Sequence, residues 1–236
     1  MTTADLFRPL PLLLLAAACL TACSDSGEAP ANTAQGQGAT EETPEVIDLG
    51  EPIEDDAKAR RTPLRGDSGM LAQPHGELPA HYAFVERSGD EMTFGDVQGK
   101  FAIVDFIFTV CAGPCPPMAE AMGNLQEKVL GMDDVVLMSI SVDPRTDTVP
   151  VLADYAKSVG ADDDKWLFAR MPMGFVNELT YEQFLFPDLG DPRAHSTLFV
   201  LVDRQGKGRA MYHPLKDEGW IEKVLKDLET LRAETP

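Results

Sequence analysis

The sequence predicts an α/β domain in which helices flank a central mixed sheet. Two runs, Phe101–Thr109 and Val135–Val142, are apolar and rich in β-favouring residues, as expected of strands that are buried on both faces. Two further segments, Pro116–Leu130 and Glu218–Arg232, place their apolar residues at helical spacing. Strand and helix patterns alternate along residues 70–236, which is enough chain for one hydrophobic core.

The remaining elements continue this alternation. They are a hairpin of Tyr82–Glu86 with Glu91–Phe94, a helix from Thr148 to Val159, a short strand at Trp166–Ala169, a weaker helix at Phe175–Phe184, and a hairpin of Thr197–Asp203 with Arg209–His213. Strand, helix, strand and helix, followed by a hairpin and a final helix, is the order of thioredoxin-like folds. We therefore predict one thioredoxin-like domain over residues 70–236.

Residues 1–22 have the pattern of a bacterial lipoprotein signal peptide. Arg8 precedes an apolar run, Leu10–Leu20, which is too short to span a bilayer as a stable helix. The run leads into Leu20-Thr21-Ala22-Cys23, which resembles the lipobox whose cysteine is acylated. We therefore expect a lipid anchor on Cys23 and a location on the periplasmic side of a bacterial cell envelope. An ordinary signal peptide followed by an incidental cysteine is the alternative.

Residues 23–69 are predicted to form a disordered acidic tether. The stretch from Asp25 to Asp56 is rich in Gly, Ala, Pro, Thr and acidic residues and contains no Lys or Arg. Such a segment cannot bury enough apolar surface to offset its chain entropy. The formal net charge of −19 argues against nucleic acid as a partner. After residue 69 no second long apolar run predicts a transmembrane helix.

A pair of cysteines lies in the predicted turn between the first buried strand and the following helix. Cys111 and Cys115 are four residues apart across the helix start, so their sulfurs are close enough to form a disulfide or to share a metal. The helix N-terminus is expected to favour thiolate over thiol, and Pro116 suits the first turn. From spacing alone, a structural disulfide, a redox dithiol and a soft-metal clamp all stay open.

Residues around and after the cysteines resemble the SCO/SenC family, periplasmic and mitochondrial copper proteins of cytochrome oxidase assembly. The resemblance rests on Asp105–Pro116 around the cysteines, on Ser139–Thr148 with its Ser-Val-Asp-Pro and Asp-Thr pairs, and on His195–Asp203. It departs from the family at Ala112–Pro114, where Pro and Asp are usual, and at Ala194, where an acidic residue is usual. These departures leave the identity of the client protein open.

The resemblance implies that Cys111, Cys115 and His195 bind copper. Cu(I) prefers thiolates, and an added imidazole lets the same site accept Cu(II). The implied function is a chaperone that receives copper from an upstream donor and delivers it to a respiratory copper enzyme such as cytochrome c oxidase.

A thiol-disulfide reductase that keeps a client's copper-site cysteines reduced is the alternative function. It would use Cys111 and Cys115 as a redox pair and leave His195 idle. A peroxiredoxin-like peroxidase is less favoured because no Arg lies beside Cys111. A purely structural disulfide has no need of a strand-to-helix turn. Whether the protein is an enzyme therefore stays open at this point.

Other metal-ligating side chains are interpreted mainly as structural. Met118 and Met122 are one helical turn apart, a spacing that predicts core packing. Met171 and Met173 flank Pro172 in a predicted loop, where they are candidates for an accessory copper contact. The remaining side chains are interpreted as surface, structural, turn or cap residues: His75, His81, His213, Asp143 and Asp147.

Overall fold

The computed structural model describes residues 68–187, 190–191 and 196–234. The predicted signal peptide, Cys23 and the predicted tether up to residue 67 lie outside these residues, and so does His195. Within the described ranges, no helix is both long enough and apolar enough to cross a membrane.

The described elements alternate along the chain as the sequence predicts. The strands are β1 (Gly69–Met70), β2 (Ala83–Glu86), β3 (Glu91–Thr93), β4 (Phe101–Ile107), β5 (Val135–Ser141), β6 (Trp166–Arg170), β7 (Phe199–Val202) and β8 (Gly208–Tyr212). The α-helices are α1 (Cys115–Val129), α2 (Val149–Ser158), α3 (Met173–Asn177) and α4 (Trp220–Ala233). A 3-10 helix at Phe94–Val97 and a π-helix at Glu178–Gln183 complete the list.

The strands form one mixed sheet in the order β1-β8-β7-β4-β5-β6-β2-β3. Its centre is parallel, because β5 pairs in parallel with both β4 and β6, while the pairings towards both edges are antiparallel. Every residue of β4 and β5 is buried, as their continuous apolar sequences predict. The α/β class, with a central mixed sheet flanked by helices in the thioredoxin-like order, is confirmed.

Alternate residues of β4 divide the core into two clusters, one on each face of the sheet. Phe101, Ile103 and Ile107 pack with the apolar stripes of α1, α2 and α4. Ala102, Val104 and Phe106 belong to the second cluster, with residues of β2, α3 and the π-helix. The stripes predicted for α1 and α4 are confirmed, because these side chains are at most 4% exposed: Met118, Met122, Leu125, Val129, Trp220, Val224, Leu228 and Leu231.

The predicted helix over Phe175–Phe184 is replaced by α3 and a following π-helix. The Thr180 hydroxyl donates a hydrogen bond to the carbonyl of Val176 at 2.8 Å. A side chain therefore competes with the backbone N–H groups of the helix for this carbonyl. The backbone then widens, and the Phe184 N–H reaches back five residues to Leu179 O at 2.9 Å. Competition by a threonine hydroxyl is a known cause of helix distortion.

Two other boundaries differ from the sequence prediction. The central strand ends at Ile107 and not at Thr109, because the Thr109 N–H donates to a side chain, Asp147 Oδ1, at 3.2 Å. At the other end, β1 begins at Gly69, inside the stretch predicted as tether, and pairs with Met211 on β8.

Candidate metal and redox site

The thiol pair lies at the carboxyl end of β4, where the chain turns into α1. Cys111 lies within the turn and is half-buried, whereas Cys115 is the first residue of α1 and is 1% exposed. The thiols are not joined in a disulfide in this structure. The Cys115 thiol donates a hydrogen bond to the Cys111 sulfur, so the two sulfurs are neighbours. Strand, turn and helix therefore bring together the two residues that the spacing predicted.

The pKa values of the two thiols are shifted in opposite directions. Burial acts to raise the pKa of Cys111, but hydrogen bonds from the Cys115 thiol, the Cys115 N–H and the Gly113 N–H outweigh it, so the pKa of Cys111 is lowered. The Gly113 N–H lies 3.4 Å from the Cys111 sulfur. Burial, followed by the hydrogen bond given to Cys111, raises the pKa of Cys115. Cys111 is therefore the more acidic and the more accessible of the two thiols, and Cys115 holds its proton more tightly.

The expectation that the helix start favours a thiolate holds for Cys111 and fails for Cys115. Pro116 and Pro117 occupy the first turn of α1 and have no N–H groups to offer a sulfur. The residue before the helix, Pro114, has no side-chain capping bond. The pKa of Cys111 is thus lowered by hydrogen bonds from its own turn and from the first residue of α1, whereas burial raises the pKa of Cys115.

A buried carboxylate fixes the approach to the turn. Asp147 is 0% exposed, and its Oδ1 accepts hydrogen bonds from the Thr109 N–H at 3.2 Å and the Thr109 hydroxyl at 2.6 Å. Its Oδ2 accepts a third from Ser141 Oγ at 2.6 Å. Asp147 is therefore not the helix cap that the sequence suggested. It ties the end of β4 to the end of β5, two residues before Cys111. Asp143 is the predicted turn residue, since its carbonyl accepts the N–H groups of Thr146 and Asp147.

A second buried carboxylate, Asp105 on β4, is 1% exposed. Ser139 Oγ donates to Asp105 Oδ1 at 2.6 Å, and Trp166 Nε1 donates to the same serine at 2.9 Å. Asp105 Oδ2 is buried without a hydrogen-bond partner in the described part of the chain. Burial raises the pKa of Asp105 to about 7, although the Ser139 bond opposes the shift. Its charge in turn helps to raise the pKa of Cys115.

An open groove of about 460 Å³ runs beside the thiols between α1 and α2. It is lined by Thr109, Cys111, Cys115, Pro116, Ala119, Glu120, Tyr155, Ser158 and Val159. The Tyr155 hydroxyl is buried and has no hydrogen-bond partner among the described residues. Burial, and then the charges of Asp105 and of both cysteines, raise the pKa of Tyr155. Tyr155 thus belongs to the electrostatic surroundings of the thiols.

Sequence reasoning missed the roles of Asp105 and Tyr155. The usable signal for Asp105 was a single acidic residue inside an otherwise apolar strand, since a buried charge of that kind needs a specific partner. Tyr155 carried no such signal, because its hydroxyl meets the site only after α2 packs on the sheet.

His195 lies outside the described residues, so its distance from the thiols is not part of the structure. The described segment that follows it begins at Ser196 and leads into β7. β7 runs antiparallel to β4, with Val200 opposite Val104. The first residues of β7 therefore lie next to the carboxyl end of β4. Within the described ranges, no group of three or more His, Cys, Asp or Glu side chains is arranged to hold a metal ion.

The methionines are placed mainly as core residues. Met118 and Met122 are 0% exposed, which confirms their predicted packing. Met171 is 3% exposed and belongs to the second core cluster, against which Met173 also packs. Core packing therefore accounts for both residues that were candidates for an accessory copper contact. Among the histidines, His81 is exposed, whereas His75 and His213 are half-buried.

Comparison with known proteins identifies relatives of the domain. Residues 72–172 match the family model described as SCO1/SenC. A SCO1 protein homolog of Bacillus subtilis is 30% identical over 152 residues, which cover 62% of this chain and 76% of that protein.

Solved structures show the same fold. A SCO1/SenC family lipoprotein from Bacillus anthracis is 26% identical with a TM-score of 0.61, covering 69% of this chain and 99% of that one. BsSco, described as a member of the Sco family of cytochrome c oxidase assembly proteins, is 23% identical with a TM-score of 0.60, covering 71% and 99%. Arabidopsis thaliana ScoI with copper bound is 20% identical with a TM-score of 0.53, covering 67% and 98%. The last two likenesses concern the fold alone.

Proposed function

Because the chain belongs to the SCO1/SenC family, we propose that it is a copper-binding chaperone of the bacterial cell envelope. It takes copper from an upstream donor and delivers it to a respiratory copper enzyme such as cytochrome c oxidase. The observation that carries the proposal is the pair of adjacent thiols at the end of β4, one half-buried and one fully buried. The likeness to the SCO1 protein homolog of Bacillus subtilis, and the match of residues 72–172 to the SCO1/SenC family model, support it.

The donor set suits copper as a transferable cargo. Cys111 and Cys115 are neighbouring sulfur ligands, and soft Cu(I) prefers sulfur. In this proposal His195 supplies an imidazole, which suits Cu(II). Because Cys111 is half-buried, a ligand from another protein has a route to the copper beside it. The buried Cys115 would hold the ion while its other ligands exchange.

The asymmetric thiols also favour a second function, a thiol-disulfide reductase. Such an enzyme needs one accessible thiolate that attacks the substrate disulfide and one protected thiol that resolves the mixed disulfide. Cys111 and Cys115 have these properties, as their opposite pKa shifts indicate. Copper delivery and reduction use the same two sulfurs, so only the contribution of His195 separates them.

The separating experiment is His195→Ala in a chain with both site cysteines. Cys19→Ser and Cys23→Ser in the full-length protein leave only Cys111 and Cys115, and this two-cysteine chain is the reference for all thiol measurements below. For a copper carrier, we expect His195→Ala to lower Cu(II) affinity by at least about 10- to 100-fold, with a smaller loss for Cu(I). Dithiol exchange should stay near the reference rate. Titration with each copper ion and the rate of reduction of a small disulfide measure the two effects.

The oxidised form of the two-cysteine chain is the control. A disulfide cannot offer two thiolates, so copper uptake should require reduction first. If Cu(II) binding and its thiolate charge-transfer absorption stay unchanged in His195→Ala, His195 is idle, as the reductase requires, and the reductase replaces the chaperone.

We further propose that residues 1–22 are removed and that Cys23 carries a lipid anchor, with residues 23–69 as the tether. The lipobox-like tetrad and the description of the Bacillus anthracis relative as a lipoprotein support this. Cys23→Ser should move the processed protein out of the membrane fraction or leave it unprocessed. Fractionation followed by mass determination measures both. An unchanged amount of mature protein in the membrane would contradict the anchor.

A further inference from the structure

The groove between α1 and α2 has the composition of a docking site for a polypeptide segment. Pro116, Ala119 and Val159 give it apolar walls, and Cys111 and Cys115 also line it. Val110, next to Cys111, is 65% exposed, the highest exposed fraction among the large apolar side chains of the described residues. A partner residue that reaches Cys111 would therefore meet an apolar surface on both sides of the sulfur.

One charged side chain lines this groove. Glu120 is exposed on α1, and no ion pair or hydrogen bond joins it to another residue in the described part of the chain. Some exposed acids of this protein are neutralised by an ion pair; Asp163, for example, pairs with Arg87 at 3.0 Å. The carboxylate of Glu120 is thus available to a cation on a partner.

We propose that this groove receives a client segment that carries a cysteine with a Lys or Arg about two residues away. The inference rests on the proposed function, because either copper transfer or disulfide exchange requires a client sulfur to approach Cys111. A client thiol is the chemistry that can displace copper from a thiolate site. The cation complements Glu120, and an extended segment between them covers the apolar walls.

The spacing follows from the helix. Glu120 is five residues after Cys115, which places it roughly 7.5 Å further along the axis of α1 at 1.5 Å per residue. An extended segment advances about 3.3 Å per residue, so this distance corresponds to roughly two residues of the client. A second copy of this chain does not meet the requirement, because the residues on both sides of Cys111, from Thr109 to Gly113, include no Lys or Arg.

The test uses the copper-free, reduced two-cysteine chain and short peptides with blocked ends. In each peptide the cysteine is activated as a mixed disulfide with thionitrobenzoate. The Cys111 thiolate attacks the peptide sulfur, the peptide–thionitrobenzoate bond breaks, and coloured thionitrobenzoate leaves with the electron pair. Cys115 then loses its proton to solvent and attacks Cys111 Sγ, which forms the internal disulfide and releases the peptide thiol. The release of colour reports the first step.

Two peptides, Lys-Gly-Cys-Gly-Lys and Glu-Gly-Cys-Gly-Glu, differ only in charge. At low ionic strength we expect the lysine peptide to react about three- to tenfold faster, and added salt should reduce the ratio. Glu120→Gln should bring the ratio close to one, and Glu120→Lys should invert it. Glu127→Gln, an exposed carboxylate further along the same helix, is the matched control and should keep the original ratio.

A steric variant tests the groove without changing charge. Ser158 is exposed and lines the groove, so Ser158→Trp should slow both peptides severalfold more than it slows the reduction of hydroxyethyl disulfide, which is too small to fill the groove. Equal ratios in Glu120→Gln and Glu127→Gln would mean that only the total charge of the chain is sensed, and would overturn the inference. Equal effects of Ser158→Trp on peptides and small disulfide would do the same. Because no copper is present, these outcomes are independent of whether the chaperone function holds.

Discussion

Two buried carboxylates near the thiol pair are held in very different ways. Asp147 is 0% exposed and accepts three hydrogen bonds, two from Thr109 and one from Ser141. Asp105 is 1% exposed and accepts one side-chain hydrogen bond, from Ser139, while its second oxygen has no partner among the described residues. The same chemical group is therefore fully bonded at one position and half-bonded at the other.

The difference separates two tasks within one site. The bonds of Asp147 join the ends of β4 and β5, so this carboxylate fixes the backbone from which the Cys111 turn departs. Asp105 joins the same two strands more weakly, and burial raises its pKa to about 7. Its charge is felt by Cys115 and Tyr155, whose pKa values it helps to raise. Asp147 thus sets geometry, whereas Asp105 sets the electrostatic conditions of the buried thiol.

The largest expected effect is on stability, from Asp147→Ala. The substitution leaves three donors without an acceptor, two on the half-buried Thr109 and one on the buried Ser141, and each orphaned group costs on the order of 1 kcal/mol. We expect a loss of about 3–4 kcal/mol in the free energy of unfolding, measured by urea denaturation of the oxidised two-cysteine chain. Asp143→Ala is the matched control, and its loss should be below about 1 kcal/mol. Equal losses would show that Asp147 has no special structural role.

The second expected effect is a pH dependence of the free energy of unfolding that results from the ionisation of Asp105. Its folded-state pKa, about 7, lies above the ordinary value of 3.8, so the folded protein holds the proton more tightly than the unfolded chain. The stabilisation is fully present below about pH 4 and is lost as the pH rises through 7. Between about pH 5 and pH 8 the oxidised protein should lose roughly 2–3 kcal/mol of unfolding free energy by this route.

Asp105→Asn is the test of this pH dependence. The amide oxygen still accepts from Ser139, but the side chain no longer ionises, so the slope between about pH 5 and pH 8 should flatten. The oxidised form is used because its sulfurs do not titrate. A slope that is the same in Asp105→Asn and in the reference chain would assign the pH dependence to other groups.

The two carboxylates also show which parts of the site can be predicted from the sequence: features with a local pattern can be, and contacts between distant residues cannot. The thiol pair was predictable because a strand, a turn and a helix start follow one another within sixteen residues, from Phe101 to Pro116, and each has its own local pattern. The stripes of α1 and α4 were predictable for the same reason. Asp147 was identified as a structural residue, but its partner Thr109 is 38 residues away, so its task was misjudged.

Long-range contacts explain the other misses. Asp105 meets Ser139 across 34 residues, and nothing near Asp105 in the sequence names that partner. The π-helix results from one hydroxyl, that of Thr180, which competes for a carbonyl without any change in apolar spacing. The short strand β1 is too brief to have a period of its own and exists only because it pairs with β8.

The smallest expected effect is a change in the reactivity of Cys115 when the charge of Asp105 is removed. Burial and the hydrogen bond to Cys111 dominate the raised pKa of Cys115, and the charge of Asp105 adds a smaller contribution. In a chain whose only cysteine is Cys115, with Cys111→Ser added to the two-cysteine chain, Asp105→Asn should therefore lower the pKa of this thiol. At about pH 8, where Asp105 is mostly ionised, alkylation of Cys115 by iodoacetamide should become about fivefold faster, or ~1 kcal/mol in thiolate stability.

The matched control for this last effect is a chain whose only cysteine is Cys111. Cys111 is half-buried, and the charge of Asp105 is not among the causes that shift its pKa, so Asp105→Asn should leave its alkylation rate unchanged. At about pH 5, where Asp105 is protonated in the folded protein, the rate difference at Cys115 should also disappear. Equal acceleration of both thiols would indicate a general loosening of the turn. That result would contradict the distinction between the two carboxylates, because Asp105 would then fix the geometry of the turn as Asp147 does.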